Sequence, residues 1–593
     1  MKYLTLLLIA FLSLTASAQK GKIATSYTIS FENAVHHEAQ VNAVFSNVKD
    51  KEATFRMSRA SPGRYAIHEF AKNIYNVKVT DGKGIVLNTT RPNPYSWNVE
   101  GHDGTIHVSY TLFANRGDGT YTQIDETHAH LNMPATFMYM PSLADKGMQV
   151  TFKPRKGLDW KVATQLEKKS NYVYYAADLQ YFMDSPTEIS NHSIRSFKVD
   201  KQTINFVLHH NGTEAELDTY FEDVKKVVLQ QKEVFGKLPS YDYGAYFFLA
   251  CYIPNASGDG MEHRNSTILT STRSLADGGL KRNIGTVSHE FFHGWNVERI
   301  RPQSLEPFDF EKANMSGALW FAEGFTSYYT SLIMRRAGLL SKEDYIQGLT
   351  STFNYVWNSP ARKFFNPIEM SYQAPFVDAA TAVDPVNRNN TFISYYSYGS
   401  ALGLALDLSL REKDLNLDDY MKLVWKEHGK KEKPYTIEDL HALLKEYAGD
   451  AFGDHFFQKY IYKSEMPEMQ RLFESVGVSL SQDTTIPSFG VTVSNGAITQ
   501  NTTIGTAAYN AGLENGDKII TVNNIPVTQE NTFSDILSAL SPSDVLNITY
   551  ERYGTTKETT ATLQEDPSFT IELDNDVSDK TILKRRDLWL DPK

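Results

Sequence analysis

His289-Glu290-Phe-Phe-His293 constrains this chain more than any other stretch of it. Residues four apart share one face of an α-helix, so the two imidazoles converge on a single point in space. Such a pair suits Zn²⁺, and Glu290, beside the first histidine, is placed to activate a metal-bound water. The chain holds 16 His in 593 residues, so the pattern could arise by chance as two histidines on a half-buried helix.

A second segment, 317–329, reads as another amphipathic helix, with Glu323 set among Leu319, Trp320, Phe321 and Phe325. Burying a carboxylate alone is costly. A metal satisfies it; the competing reading is a salt bridge to a core arginine. Two histidines and one glutamate leave a fourth tetrahedral position for water, which is the catalytic kind of zinc site. One Zn²⁺ per chain is the expectation, held by His289, His293 and Glu323, with Glu290 as general base.

The rest of the chain bounds where such a site can sit. Residues 1–18 read as a secretory signal: Lys2, an apolar run from Leu6 to Leu14, then Ala16-Ser17-Ala18 as a cleavage site. No later run approaches the length of a transmembrane helix, so no membrane anchor is expected. The chain has 1 Cys, Cys251, and therefore no intramolecular disulfide. Export to a bacterial periplasm, otherwise secretion, fits a large chain of this kind. A net charge of −11 argues against nucleic acid as a partner. The basic clusters 426–433 and 584–586 read as solvated surface.

From about Thr25 to Val207, β-branched and aromatic runs alternate with turn signals, which predicts an antiparallel β domain over 19–208. His36-His37 and the pair His128/His130 within it read as surface or core-edge residues rather than ligands. Helical periodicity begins at Glu214, and a helix-rich domain is expected over 209–474. The Ser/Thr-rich stretch 475–487 reads as a linker, 488–575 as an independent β-rich module, and 576–593 as a tail.

Together, His289-Glu-Phe-Phe-His-Gly-Trp-Asn-Val-Glu-Arg-Ile-Arg-Pro302 and Leu319-Trp-Phe-Ala-Glu-Gly-Phe-Thr-Ser-Tyr-Tyr329 resemble the glycyl aminopeptidase family of gluzincin zinc metallopeptidases. The 29 residues between His293 and Glu323 are more than aminopeptidase N-like enzymes carry, and favour that branch. Ser61-Pro-Gly-Arg-Tyr-Ala-Ile-His-Glu-Phe70 resembles the family's N-terminal β domain. The module at 488–575 is similar to a PDZ domain, with Ser488-Phe-Gly-Val491 as a degenerate carboxylate-binding loop. The resemblance implies a multidomain α+β chain: an antiparallel β domain, a thermolysin-like, mostly helical peptidase domain, and a PDZ-like domain.

It also implies roles. Asp259-Gly-Met-Glu-His263 resembles the Gly-x-Met-Glu-Asn strand of aminopeptidase N-like enzymes but departs from it at both ends. That places Gly260, Met261, Glu262 and His263 against substrate, with Glu262 pairing the α-amine. Ile393-Ser-Tyr-Tyr-Ser-Tyr-Gly399 resembles the Tyr-x-x-Gly helix start of related enzymes, aligning Tyr396 with their catalytic tyrosine. Tyr395 is the near competitor, and an aromatic cluster in a helical core is the alternative to both. Arg299 and Arg301 are candidates to brace carboxylates or to bind a peptide carboxylate.

The activity implied is release of small first residues, Gly or Ala, from peptides, with a C-terminal peptide as ligand of the PDZ-like module. An endopeptidase that docks longer polypeptides, or a non-catalytic peptide-binding protein, are the alternatives.

Overall fold

The computed structural model describes residues 22–377 and 386–593; the signal read at 1–18 lies outside the described residues. Alternating patterns such as IATSYTIS at Ile23–Ser30 and TIHVSYTLF at Thr105–Phe113 bury every second side chain, the signature of a strand with one face in a core. They join a seven-stranded sheet that packs with a three-stranded sheet and a four-stranded sheet around one aromatic-rich core. The antiparallel expectation fails at one place: Ile23–Ser30 pairs parallel with Gly147–Lys153. The four-stranded sheet includes β1 (His128–Leu131) and β2 (Thr187–Ser190), which pair antiparallel.

The peptidase domain starts earlier than residue 209. β3 (Ser193–Val199) and β4 (Gln202–His210) belong to a five-stranded sheet with β5 (Ala245–Tyr252), β6 (Asp259–His263) and β7 (Ser266–Ser271). β4 alternates at Thr203–Phe206 like a strand of the N-terminal domain, but it is buried continuously over Phe206–His209 and pairs parallel with β5. Only that long-range register assigns it. α1 (Glu214–Phe235) crosses from β4 to β5, opened by a capping box in which Thr213 and Glu216 satisfy each other's backbone N–H groups. β6 is one of the two antiparallel edge strands, at the opposite edge from β3.

The helical layer follows: α2 (Ile284–His293), α3 (Gly324–Arg336), α4 (Lys342–Trp357), α5 (Tyr395–Arg411) and α6 (Leu417–Glu427) share one hydrophobic core with the inner face of the sheet. Among the described residues no helix is long and apolar enough to cross a membrane.

Two C-terminal expectations are corrected. Residues 475–487 are not a free linker: β8 (Val478–Gln482) pairs antiparallel with β10 (Phe569–Leu573), and Val478, Leu480 and Ile571 are buried in the peptidase core. The β-rich module between them, containing the short edge strand β9 (Val493–Ser494) and helix α7 (Phe533–Ser538), has its own core. It is therefore held at both ends by one two-stranded ladder.

The tail at 576–593 forms α8 (Lys580–Leu590), whose Trp589 and Leu590 are fully buried. Trp589 Nε1 donates to Tyr328 Oη at 3.0 Å, and Tyr328 donates to Asp407 at 2.6 Å. Arg336 donates to the Trp589 carbonyl at 3.0 Å and to Asp418 at 2.9 Å. Only Trp589 and Leu590 of this helix are buried, and two adjacent residues give no helical period, which is why the docking is not legible from the sequence. Trp589→Ala empties a fully enclosed site and orphans the Tyr328 contact. It is expected to cost about 3–5 kcal/mol, read as a lower denaturant midpoint of the peptidase domain.

Candidate metal centre and active site

α2 carries its apolar residues Ile284, Val287, Phe291 and Phe292 into the core, which fixes its rotation and turns His289, Glu290 and His293 toward the edge strand β6. Ser288 pins it further, its hydroxyl donating to the Thr330 carbonyl of α3 at 3.0 Å. Glu323 sits at the junction between the turn Leu319–Ala322 and α3, and is 2 % exposed.

The three expected ligands converge. His293 Nε2 lies 3.1 Å from His289 Nε2, and Glu323 Oε2 lies 3.2 Å and 3.6 Å from the two. Donors around a tetrahedral Zn²⁺ stand about 3.3 Å apart. The outer nitrogens fix the tautomers. His293 Nδ1 donates to the Asn296 carbonyl at 2.6 Å. His289 Nδ1 lies 3.1 Å from Thr330 Oγ1, whose own proton goes to the Thr326 carbonyl at 2.8 Å, so the imidazole donates. Both Nε2 lone pairs are thereby free for a metal, and hydrogen bonds of this kind orient metal-ligating histidines. Glu323 Oε2 is buried without a hydrogen-bond partner, although burial would penalise its charge. Positive charge at His293 first, and at His289, outweighs that penalty and draws the carboxyl well below its ordinary range; a metal cation on the two Nε2 atoms would supply the same charge. The donor set fits Zn²⁺, and the core-arginine alternative for Glu323 is not what the structure shows.

Two residues that matter here were not singled out from sequence. Tyr65, from the N-terminal domain, donates to Glu323 Oε1 at 2.6 Å. Asn296 bridges the two motif turns, its amide reaching the Phe321 and Ala322 carbonyls at 3.1 and 3.2 Å while its carbonyl receives His293. Both lie inside motifs already quoted, but nothing local reveals that they meet Glu323 and His293.

Glu262 and Glu290 face each other across the gap between β6 and α2. One carboxylate oxygen from each lies within 4.8 Å of a His293 nitrogen and of the other. Gly260 permits this approach, since a Cβ there would stand 2.2 Å from Glu290 Oε1. Among the described residues no Lys or Arg pairs with either acid. Burial pushes both carboxyls up from their ordinary range; for Glu262, Glu323 adds to this, and for Glu290, Glu262 and Glu323 do.

Met261 and His263 alternate to the other face of β6, which corrects their assignment to substrate. His263 Nδ1 contacts Asp184 at 2.8 Å, and Met261 packs where Gly63 and Gly119 approach. Arg64 ion-pairs with Asp259 at the start of the same strand. Arg299 donates to the Arg264 and Gly294 carbonyls at 2.6 and 3.0 Å, bracing backbone rather than carboxylates. Arg301 pairs with Glu306 at 3.2 Å.

Tyr396 lies beside the ligand His289, its ring centroid 5.9 Å from that of the imidazole. Tyr395 lies behind it, 1 % exposed and edge-on to Tyr65. Burial, with Glu323 adding, pushes the Tyr396 phenol well up, so it stays protonated as a donor. The placement depends on a contact between two glycines. A Cβ on Gly399 would stand 1.9 Å from the Trp320 carbonyl oxygen, and one on Gly324 2.3 Å from Gly399 Cα. Gly399→Ala must push α5 away from the Glu323 turn. We expect a loss of about 1–3 kcal/mol together with reduced turnover, measured as Tm and kcat on one preparation.

The geometry of a two-histidine, one-glutamate centre on helices beside a sheet edge is that of a gluzincin-type zinc metallopeptidase. Residues 282–402 match the M61 glycyl aminopeptidase family, 26–191 the peptidase M61 N-terminal domain and 475–563 a PDZ domain. The N-terminal and peptidase portions of the chain thus match M61 glycyl aminopeptidase family models, and the C-terminal portion a PDZ model. Its fold is similar to that of an aminopeptidase N family protein from Idiomarina loihiensis, at 23% identity and a TM-score of 0.83, covering 96% of this chain and 100% of that one. An M1 zinc metallopeptidase from Deinococcus radiodurans aligns at 10% identity and a TM-score of 0.44, over 76% of this chain and 96% of that one. No curated protein sequence matches the chain.

Proposed function

We propose that this zinc aminopeptidase releases small first residues, Gly or Ala, from peptides. The observation that carries the exopeptidase reading is the Glu262 carboxylate, buried beside Glu290 and His293 with no Lys or Arg partner among the described residues. A protonated α-amine is the cation such a carboxylate recognises, through a charge-assisted hydrogen bond. Held there, the first residue presents its own carbonyl to the metal centre and no later one. The rings of Tyr65, Tyr395 and Tyr396 form a row, Tyr395 edge-on to Tyr65 at 6.0 Å and tilted against Tyr396 at 4.9 Å; they crowd the site and support a preference for small side chains.

His289, His293 and Glu323 would hold one Zn²⁺, which supplies Lewis acidity toward a carbonyl oxygen and acidifies water. Glu290 accepts the proton of the attacking water and returns it to the leaving amine. Tyr396 donates its phenolic hydrogen to the oxygen on which charge develops. Tyr65 and Thr330 hold Glu323 and His289 in orientation.

The PDZ domain binds an extended C-terminal peptide by adding it to the free edge of β9, beside the loop 488–491. Two observations support this: β9 ends its sheet, and Phe489 of the loop packs 5.0 Å from Phe533 of α7. Export through the segment 1–18 completes the proposal.

A peptide panel varying the first residue, with and without chelator, tests the preference. Fastest release from Gly- and Ala-initiated peptides, abolished by chelator and restored by Zn²⁺, is expected. A preference for bulky first residues would overturn it.

A further inference from the structure

The outer face of the peptidase sheet packs against the four-stranded sheet of the N-terminal domain, and for part of its area this packing is apolar: Ala163 meets Val207 and Leu249. One step further along the same strands it becomes polar. His209 on β4 and Cys251 on β5 are register partners, and each lies two residues beyond an apolar member of that face. Opposite them stand His128 and His130 on β1, with Glu188 on β2 as the register partner of His130. His128, His130 and Glu188 are fully buried, His209 is 5% exposed and Cys251 1%. The sequence reading of His128 and His130 as surface or core-edge residues is thus corrected.

These groups satisfy one another only in part: His130 Nδ1 pairs with Glu188 Oε2 at 3.0 Å, and the remaining atoms are left over. His128 Nε2, His130 Nε2, Glu188 Oε1 and His209 Nδ1 are all buried without a hydrogen-bond partner, as is Nε2 of the neighbouring His192. Leaving so many buried polar atoms unpaired in one place is expensive, and native interiors avoid it. The other sides of the rings are engaged. His128 Nδ1 faces Asp125 at 3.3 Å and Thr127 at 3.1 Å, and His209 Nε2 lies 3.2 Å from the same Thr127 hydroxyl. That is how ligating imidazoles are oriented, one nitrogen held and the other presented.

We propose that His128, His209 and Cys251 form a second metal site, distinct from the catalytic centre, that takes Zn²⁺ or a metal of the same borderline-soft class. One donor atom from each lies within 4.8 Å of the others. A tetrahedral Zn²⁺ holds nitrogen and sulfur donors about 3.3–3.8 Å apart, so ligation asks for a contraction on the order of 1 Å. Two imidazoles with one thiolate select zinc and its neighbours over Mg²⁺ or Ca²⁺. Glu188 Oε1, on the same face of its sheet as His128, is the candidate fourth donor.

With ligands from both domains and no exposed ligand atom to exchange, the site is structural. It fastens the N-terminal domain to the peptidase sheet, and with it Tyr65, which that domain delivers to Glu323.

The single cysteine makes the test clean. Full-length apo-protein carrying His289→Ala and His293→Ala, so that the catalytic centre is disabled, is reconstituted with Co²⁺ and its near-ultraviolet spectrum recorded. A sulfur-to-cobalt charge-transfer band is expected, because Cys251 is the only thiol in the chain; it disappears in the same protein carrying Cys251→Ser. Wild-type protein is expected to carry two zinc ions per chain by elemental analysis, and Cys251→Ser one. If folded wild-type protein saturated with Co²⁺ shows no such band and retains a single metal, the site does not exist. That result would leave the catalytic centre untouched.

Discussion

Glu290→Gln is expected to lower kcat by about 10²–10⁴-fold while leaving the zinc content unchanged. Gln keeps the volume and one acceptor oxygen but cannot take a proton from water. His289, His293 and Glu323 keep the donor distances of 3.1–3.6 Å that define the metal centre. Burial and the neighbouring Glu262 both disfavour the negative charge that Glu290 carries as a base, so replacing it with a neutral amide is expected to leave thermal stability unchanged or higher. Steady-state kinetics with elemental analysis on one sample separates this from simple metal loss. An unchanged kcat in a zinc-loaded variant would remove Glu290 from the mechanism.

For Glu262→Gln the expected effect is smaller and of a different kind. A charge-assisted hydrogen bond to an α-ammonium is worth about 1.5–3 kcal/mol, so kcat/KM for free-amine peptides should fall by roughly 10–150-fold. Because the ammonium positions the first residue for attack, part of the loss belongs in kcat as well as KM. Zinc content should not move. The deciding comparison is substrate-dependent: an N-acetylated peptide lacks the cation, so its slow cleavage should be nearly the same in wild type and variant. An equal loss on both substrates would make Glu262 a structural carboxylate.

How far these residues could be read from sequence depended on how local their signals are. His289, Glu290 and His293 declare themselves because helix periodicity alone puts them on one face, and Glu323 because a carboxylate in LWFAEGF demands a partner. Tyr396 was separable from Tyr395 only by the approach of Gly399 to Trp320, which sets the rotation of α5 and belongs to no short-range pattern. Tyr65 meets Glu323 across 258 positions of chain, and His128 meets His209 and Cys251 across two sheets. Strand alternation says that such side chains face inward or outward, never which sheet they face. The same ambiguity misassigned β4 to the N-terminal domain and hid the pairing of β8 with β10. Met261 and His263 were misread in the opposite sense: resemblance carried the whole motif to substrate, whereas strand alternation gives only Gly260 and Glu262 to the metal centre.

The most direct measurement uses two peptides identical except that one carries a free N-terminal Gly and the other an acetylated one, incubated with zinc-loaded full-length protein and analysed by mass spectrometry. Stepwise loss of the first residue from the free peptide alone is predicted, stopped by chelator and by Glu290→Gln. Cleavage of both peptides at comparable rates, at bonds away from the N terminus, would contradict an aminopeptidase and assign the same zinc centre to an endopeptidase.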